Sequence, residues 1–89
     1  MESIQTRAKA LIDKAGFERL IKETEISLTR WQTVRYKKIR MSTEEIEALI
    51  KIFPEYAMWL ACGGVAPESG QTSPEYDEAN RNLSQPHAG

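Results

Sequence analysis

Residues 27–42 read SLTRWQTVRYKKIRMS, and the interpretation of the rest of the chain depends on this segment. Trp31 and Val34 are three positions apart, so a helix through them carries both side chains on one face. The opposite face of that helix holds four polar or aromatic residues: Thr29, Gln32, Thr33 and Tyr36. Between residues 26 and 42 there is no acid, but there are five cations: Arg30, Arg35, Lys37, Lys38 and Arg40. This pattern favours a DNA-reading helix that ends in a group of phosphate-binding cations.

The composition is that of one small globular domain. The chain has 89 residues, of which 40% are hydrophobic and 28% are charged. No apolar run approaches the roughly 18 residues of a transmembrane helix, and the first residues do not resemble a secretory signal. One cysteine, Cys62, cannot build an intrachain disulfide framework. These features predict a cytoplasmic, reduced protein that does not enter a membrane.

The small net charge of −1 conceals an uneven distribution of charge along the chain. Residues 1–62 carry eleven Lys and Arg against nine Asp and Glu, whereas residues 63–89 carry one Arg against four acids. A general polybasic coat for nucleic acid is therefore not indicated. The cations are local to the segment around the third predicted helix.

Apolar residues at spacings of three and four predict five helices within residues 3–62, and no strand pattern is present. The predicted helices cover residues 3–15, 17–24, 28–36, about 43–53, and 54–62. Ser27 is a good N-cap for the third helix, and Ser42 with Glu45 forms a capping box at the start of the fourth. The predicted fold class is an all-α, compact, five-helix domain over residues 1–64.

Residues 65–89 have a different composition, rich in Pro, Gly, Ser, Asn and Gln. So few apolar groups cannot offset the entropy of ordering, and a mostly disordered, flexible acidic tail is predicted. One stretch within it, residues 74–83, is a candidate for a short helix, since Ser73 and Pro74 form a helix-start signal. Tyr76 and Leu83 would give that helix a narrow apolar stripe, or they have no role beyond the tail.

The order of helices resembles that of the lambda-repressor/Cro-like helix-turn-helix proteins, often called the XRE type. In that family a Ser precedes the reading helix, and apolar residues follow four and seven positions later, as Trp31 and Val34 follow Ser27. A basic loop then leads to a capped fourth helix, which residues 37–42 match. The stretch FPEYAMWLACGGVAPESGQTSPE, residues 53–75, is similar to the end of small XRE-type regulators of proteobacteria and their prophages. The family's turn glycine is replaced by Glu25, which either adopts that backbone conformation or sits in a modified turn.

The resemblance implies a role for each position of the reading helix, which would enter the major groove of double-stranded DNA. The positions that read bases in the family are Leu28, Thr29, Gln32 and Thr33. The cations expected to contact phosphates are Arg30, Lys37, Lys38 and Arg40. Arg35 lies nearer the core side, where it is expected to pair with an acid of helix two or four.

The function that follows is a sequence-specific DNA-binding transcriptional regulator, with a prophage- or plasmid-type repressor favoured. A single domain of this size covers few base pairs, so a homodimer on two half-sites is expected. The candidate dimer surface combines the fifth helix with the tail, namely Tyr56, Met58, Trp59, Tyr76 and Leu83. The alternative is a helix-turn-helix fold that binds proteins, as an antitoxin-like or phage-encoded adaptor whose tail folds on a partner.

Other functions have little support in the sequence. A charge run is often no more than a solvated helix face, and Trp31 and Trp59 fit apolar helix faces better than stacking platforms. His87 stands alone, without partners at metal-ligand spacing. No glycine-rich phosphate loop and no set of catalytic groups is evident. The expectation is a protein that is not an enzyme and uses no metal, cofactor or small-molecule ligand.

Overall fold

Six α-helices follow one another in the part of the chain that the computed structural model describes: the backbone of residues 3–84 and the side chains of residues 3–81. They are α1 (Ile4–Ala15), α2 (Phe17–Glu23), α3 (Leu28–Tyr36), α4 (Thr43–Ile52), α5 (Ala57–Cys62) and α6 (Pro74–Ser84). Short 3-10 helices, Pro54–Tyr56 and Pro67–Ser69, precede α5 and follow it. Within residues 3–84 there is no β-strand, only an isolated bridge between Ala66 and Gln71. The predicted all-α class is confirmed.

The helix boundaries follow local signals that are visible in the sequence. The Ser27 hydroxyl accepts a hydrogen bond from the backbone N–H of Arg30 at 3.1 Å, which caps α3. The Glu45 carboxylate accepts the backbone N–H of Ser42 at 2.8 Å and completes the predicted capping box of α4. Gly16 separates α1 from α2 with a φ of 83°, a conformation that other residues rarely adopt.

The core lies around α1, which packs against α2, α3, α4 and α5. Its buried apolar side chains come from every element up to α5 and are Ala8, Leu11, Ile12, Leu20, Trp31, Val34, Met41, Leu49, Phe53, Tyr56, Trp59 and Leu60. The buried Arg7 joins the two ends of this core, because its Nε donates to the carbonyl of Leu60 at 3.0 Å. That hydrogen bond satisfies a backbone carbonyl near the C-terminus of α5, where the positive charge of Arg7 also interacts favourably with the helix dipole.

α2 and α3 form a helix-turn-helix unit that is held together from behind. Trp31 and Val34 are fully buried, as predicted for the core face of α3. The Trp31 Nε1–H donates to the Thr24 hydroxyl at 3.2 Å, and that hydroxyl donates to the Leu20 carbonyl at 2.6 Å. Glu25 lies in a modified turn, since among the described residues only glycines have a positive φ. The turn therefore lacks the left-handed residue that a glycine would supply.

The helix count and the fifth helix differ from the sequence-based prediction. Six α-helices are present in residues 3–84 where five were predicted for the domain, and the sixth, α6, matches the candidate short helix of residues 74–83. The helix predicted over residues 54–62 is divided, with a 3-10 turn from Pro54 to Tyr56 and an α-helix only from Ala57. Phe53 has ψ 67°, outside the helical region, as expected for a residue that precedes proline. The N–H of Tyr56 consequently bonds to the Phe53 carbonyl three residues earlier.

Hydrogen bonds link residues 65–84, which were predicted as a mostly disordered tail with a candidate helix, to the segment that precedes α5 and to α5 itself. The Gln71 side chain accepts the Met58 N–H at 2.9 Å and donates to the Pro54 carbonyl at 3.1 Å. The Thr72 N–H donates to the Glu55 carbonyl at 2.9 Å. Polar contacts thus hold this segment in place, although its few apolar side chains would not be sufficient to do so. The division of the chain after residue 64 stays a prediction, and residues 85–89, with His87, lie outside the described part.

Candidate nucleic-acid interface

The residues predicted to read bases share the outer surface of α3. Thr29 and Gln32 are exposed, Leu28 is 40% exposed, and Thr33 is half-buried. The exposure of Thr29 and Gln32 follows from the burial of Trp31 and Val34, because a helix that turns those two inward turns the residues of the opposite face outward. The N-terminal half of α3 therefore presents amide, hydroxyl and apolar groups to the solvent. These groups match the donors, acceptors and methyl groups of base edges.

The loop between α3 and α4, residues 37–42, carries three further cations and is called the basic loop below. Lys37, Lys38 and Arg40 are exposed, and none of them forms an ion pair within the part of the chain that the structure describes. The loop is fixed at its far end, where the buried Met41 donates its N–H to the Gln5 side chain at 2.8 Å. Three solvated positive charges are thus held beside the C-terminus of α3. Such a group suits contact with a phosphate backbone.

Arg30, the fourth predicted phosphate contact, has an intramolecular partner. Its Nη2 donates to Glu45 Oε1 at 2.9 Å, and the side chains of Arg30 and Glu45 are 37% and 3% exposed. Burial raises the pKa of Glu45, but hydrogen bonds from Arg30 and Ser42 outweigh it and leave the pKa below its ordinary value. The hydrogen bond to Glu45 likewise raises the pKa of Arg30. Both groups are charged at neutral pH.

Arg35 is removed from the set of free cations by an acid of α1. Its Nε and Nη2 donate to the two carboxylate oxygens of Asp13 at 2.6 and 2.8 Å. The expected partner on helix two or four was therefore wrong, because α3 crosses α1 at this level. The bidentate geometry is the strong form of this ion pair. Arg35 thus links α3 to α1 through an ion pair at the surface.

Tyr36 and Glu45 also contribute to this site, although the sequence analysis assigned neither of them a role in DNA binding. Tyr36 is 68% exposed, and its ring packs edge-on against Phe17 with a centroid distance of 6.0 Å. The guanidinium of Arg35 lies 5.2 Å from the centre of the Tyr36 ring. The capping box identified Glu45 as a local helix signal, but nothing in the sequence indicates that it reaches back 15 residues to Arg30.

The candidate dimer residues are divided between core and surface. Tyr56 and Trp59 are only 3% and 9% exposed, and the Tyr56 hydroxyl donates to Asp77 of α6 at 2.7 Å. Neither side chain offers much surface to a second copy, and the dimer surface as a whole stays a prediction. Met58 is 39% exposed and Tyr76 is half-buried. The backbone of Leu83 belongs to α6, but its side chain lies outside the described part.

Together the fold and this surface define a small, all-helical helix-turn-helix protein. The structure matches that of Pf6r from the filamentous phage Pf6 of Pseudomonas aeruginosa PA01 with a TM-score of 0.90 and 61% sequence identity. The match covers 94% of this chain and 100% of Pf6r. This chain therefore belongs to the same family as Pf6r. No family model and no curated protein matches it. No helix within residues 3–84 has the length and apolar character needed to cross a membrane.

Proposed function

We propose that this chain is a sequence-specific DNA-binding transcriptional regulator of the lambda-repressor/Cro (XRE) type, and that it acts as a repressor. The observation that carries the proposal is the division of α3 into two faces beside an uncompensated basic loop. Trp31 and Val34 are fully buried on one face, while Thr29 and Gln32 stand exposed on the other. Kinship with a phage protein supports a prophage regulator. Cytoplasmic location and the absence of enzymatic activity are parts of the same proposal.

In this proposal α3 lies in the major groove and four of its side chains meet base edges. Gln32 can pair through two hydrogen bonds with an adenine, and Thr29 and Thr33 can bond to bases or phosphates. Leu28 can pack on a thymine methyl group. Each of these contacts discriminates between bases, so the identity of the operator depends on them.

The phosphate contacts come from the basic loop and, more weakly, from Arg30. Lys37, Lys38 and Arg40 are solvated and free of ion pairs among the described residues, so a phosphate meets no intramolecular competitor there. Arg30 must share its charge with Glu45. These contacts orient the domain on the duplex and carry no sequence information.

A two-fold homodimer on half-sites about 34 Å apart completes the proposal, since one reading helix covers few base pairs. The burial of Tyr56 and Trp59 limits the dimer surface to the outside of α5 and α6, where Met58 and Tyr76 lie. Sedimentation of the chain at tens of micromolar, with and without duplex DNA, tests this part. A monomer under both conditions contradicts it.

The decisive experiment measures binding to a random-sequence duplex at low and at physiological salt. We expect clear binding at low salt that weakens steeply as salt rises, because phosphate contacts release counterions. The control is a variant with Lys37, Lys38 and Arg40 all replaced by Gln, which should bind far more weakly. If the unaltered chain has no affinity even at low salt, the DNA-binding proposal fails.

The protein-binding alternative has less support in the structure. It requires the segment after residue 64 to fold upon a partner, but Gln71 and Thr72 already bond to residues 54–58, and Tyr56 bonds to Asp77. If the chain does not bind DNA in the experiment above, this alternative becomes the favoured function.

A further inference from the structure

One buried carboxylate joins α3 to the end of the basic loop. Glu45 Oε1 accepts from Arg30 Nη2 at 2.9 Å and from the Ser42 N–H at 2.8 Å, and Oε2 accepts from the Ser42 hydroxyl at 2.8 Å. Arg30 belongs to α3, Ser42 closes the basic loop, and Glu45 is in the first turn of α4. This single side chain therefore bonds both to α3 and to the end of the basic loop.

Arg30 is held by only part of its guanidinium group. Only Nη2 has a hydrogen-bond partner among the described residues, and the side chain is 37% exposed. A guanidinium has five N–H donors in a rigid plane, so fixing one edge orients the other donors. An arginine of this kind can hold a carboxylate on one side and a phosphate on the other. It does so with less loss of side-chain entropy than a freely rotating cation.

We propose that Glu45 is a positioning residue for DNA binding, which acts by orienting the guanidinium of Arg30 towards a backbone phosphate beside α3. The inference rests on the proposed function and adds to it a residue that does not touch DNA. It also gives Arg30 a role different from that of the loop cations, since Lys37, Lys38 and Arg40 meet the phosphates without an oriented partner. The opposite arrangement, in which Glu45 withholds Arg30 from DNA, predicts the opposite result on substitution.

The informative substitution is Glu45→Gln. A glutamine keeps the size of the side chain and can still accept the Ser42 N–H, because glutamine serves equally at this position of a capping box. It removes the negative charge that holds Arg30. The matched control is Glu47→Gln, which removes the same charge from the same helix, where Glu47 is exposed and pairs with Lys51.

The experiment is a double-substitution cycle read out as affinity for a random-sequence duplex at one low salt concentration. The proteins are the unaltered chain, Glu45→Gln, Arg30→Gln and the double variant, with circular dichroism to follow their helix content. We expect Glu45→Gln to lower the affinity about tenfold in the presence of Arg30, a coupling usual for directly contacting residues. When Arg30→Gln is already present, we expect Glu45→Gln to change the affinity by less than about twofold. We expect the same small change in affinity for the control Glu47→Gln.

Two results would overturn the inference. An equal loss of affinity in both backgrounds would show that Glu45 only stabilises the fold, and a gain in affinity would show that it withholds Arg30. If Glu45→Gln does not fold, Arg30→Lys replaces it, because lysine keeps the charge but lacks the planar fork. We expect that variant to bind several-fold more weakly, and unchanged binding refutes the orientation of Arg30. If the unaltered chain does not bind DNA at all, the result refutes the proposed function and not the role of Glu45 in particular.

Discussion

Lys38 and Arg35 are three positions apart and carry the same charge, yet we expect only one of them to affect the salt dependence of DNA binding. Lys38 is exposed in the basic loop and has no ion pair within the part of the chain described, whereas Arg35 is held by both oxygens of Asp13. A phosphate can neutralise the first charge, but the second is already neutralised. The substitutions Lys38→Ala and Arg35→Ala therefore form a matched pair.

The magnitude follows from the number of uncompensated cations. With Lys37, Lys38 and Arg40 each on one phosphate, and leaving out the weaker contact of Arg30, whose charge is shared with Glu45, the slope of log affinity against log salt is about −2.7 per bound copy. That slope corresponds to about a 40-fold loss of affinity between 50 and 200 mM salt. Lys38→Ala should reduce the slope to about −1.8 and the loss to about 12-fold. Arg35→Ala should leave the slope unchanged.

Fluorescence anisotropy of a labelled random-sequence duplex, titrated at four or more salt concentrations, measures these slopes directly. A dimer doubles every slope but keeps the ratio between variants. The reasoning is refuted if Arg35→Ala lowers the slope as much as Lys38→Ala does, because the ion pair with Asp13 would then not be decisive. It is equally refuted if neither substitution changes the slope.

Three further predictions concern base reading, acid stability and α6. Gln32→Ala should cost about 1–3 kcal/mol at one base pair and leave the salt slope unchanged, which selection from a random duplex library tests by loss of preference at a single position. The pKa of Glu45 is lower in the folded protein than in the unfolded chain. The ionised carboxylate therefore stabilises the fold fully above the ordinary glutamate pKa of about 4.3, and this stabilisation is lost as the pH falls through the pKa of Glu45 in the folded protein. Urea unfolding as a function of pH should therefore show a weaker acid dependence for Glu45→Gln, and an unchanged dependence contradicts this assignment. Tyr56→Phe removes the hydroxyl that donates to Asp77 and should cost about 0.5–1.5 kcal/mol, with faster amide exchange in α6; unchanged exchange would mean that this contact does not hold the helix.

Features that depend on neighbouring residues were accessible from the sequence. Ser27 caps α3 and Ser42 with Glu45 caps α4 because the groups that bond are three positions apart along the chain. The buried face of α3 followed from the spacing of Trp31 and Val34 alone. The outward direction of Thr29 and Gln32 followed from the same spacing.

Features that depend on where helices cross were not accessible. Arg30 and Arg35 look alike in sequence, but the crossing of α3 over α1 gives Arg35 to Asp13, and the approach of α4 gives Arg30 to Glu45. Helix periodicity states which residues share a face and not which residues of another helix lie opposite. Counting cations along the chain therefore does not show which of them already have an intramolecular partner.

The C-terminal segment shows most clearly the difference between what local sequence indicates and what contacts in the folded chain add. Its composition predicted a mostly disordered tail with a candidate helix at residues 74–83. Gln71 and Thr72, which precede α6, and Asp77, within α6, form hydrogen bonds to residues 54–58. Composition measures the apolar area that a segment can bury, but these contacts are hydrogen bonds to backbone groups and a phenol that only the folded chain brings together. The sequence by itself determined helices α1 to α4, the caps of α3 and α4, and the outward face of α3. Tertiary structure alone decided which charges remain free, because pairing across helices depends on distances that no local pattern contains.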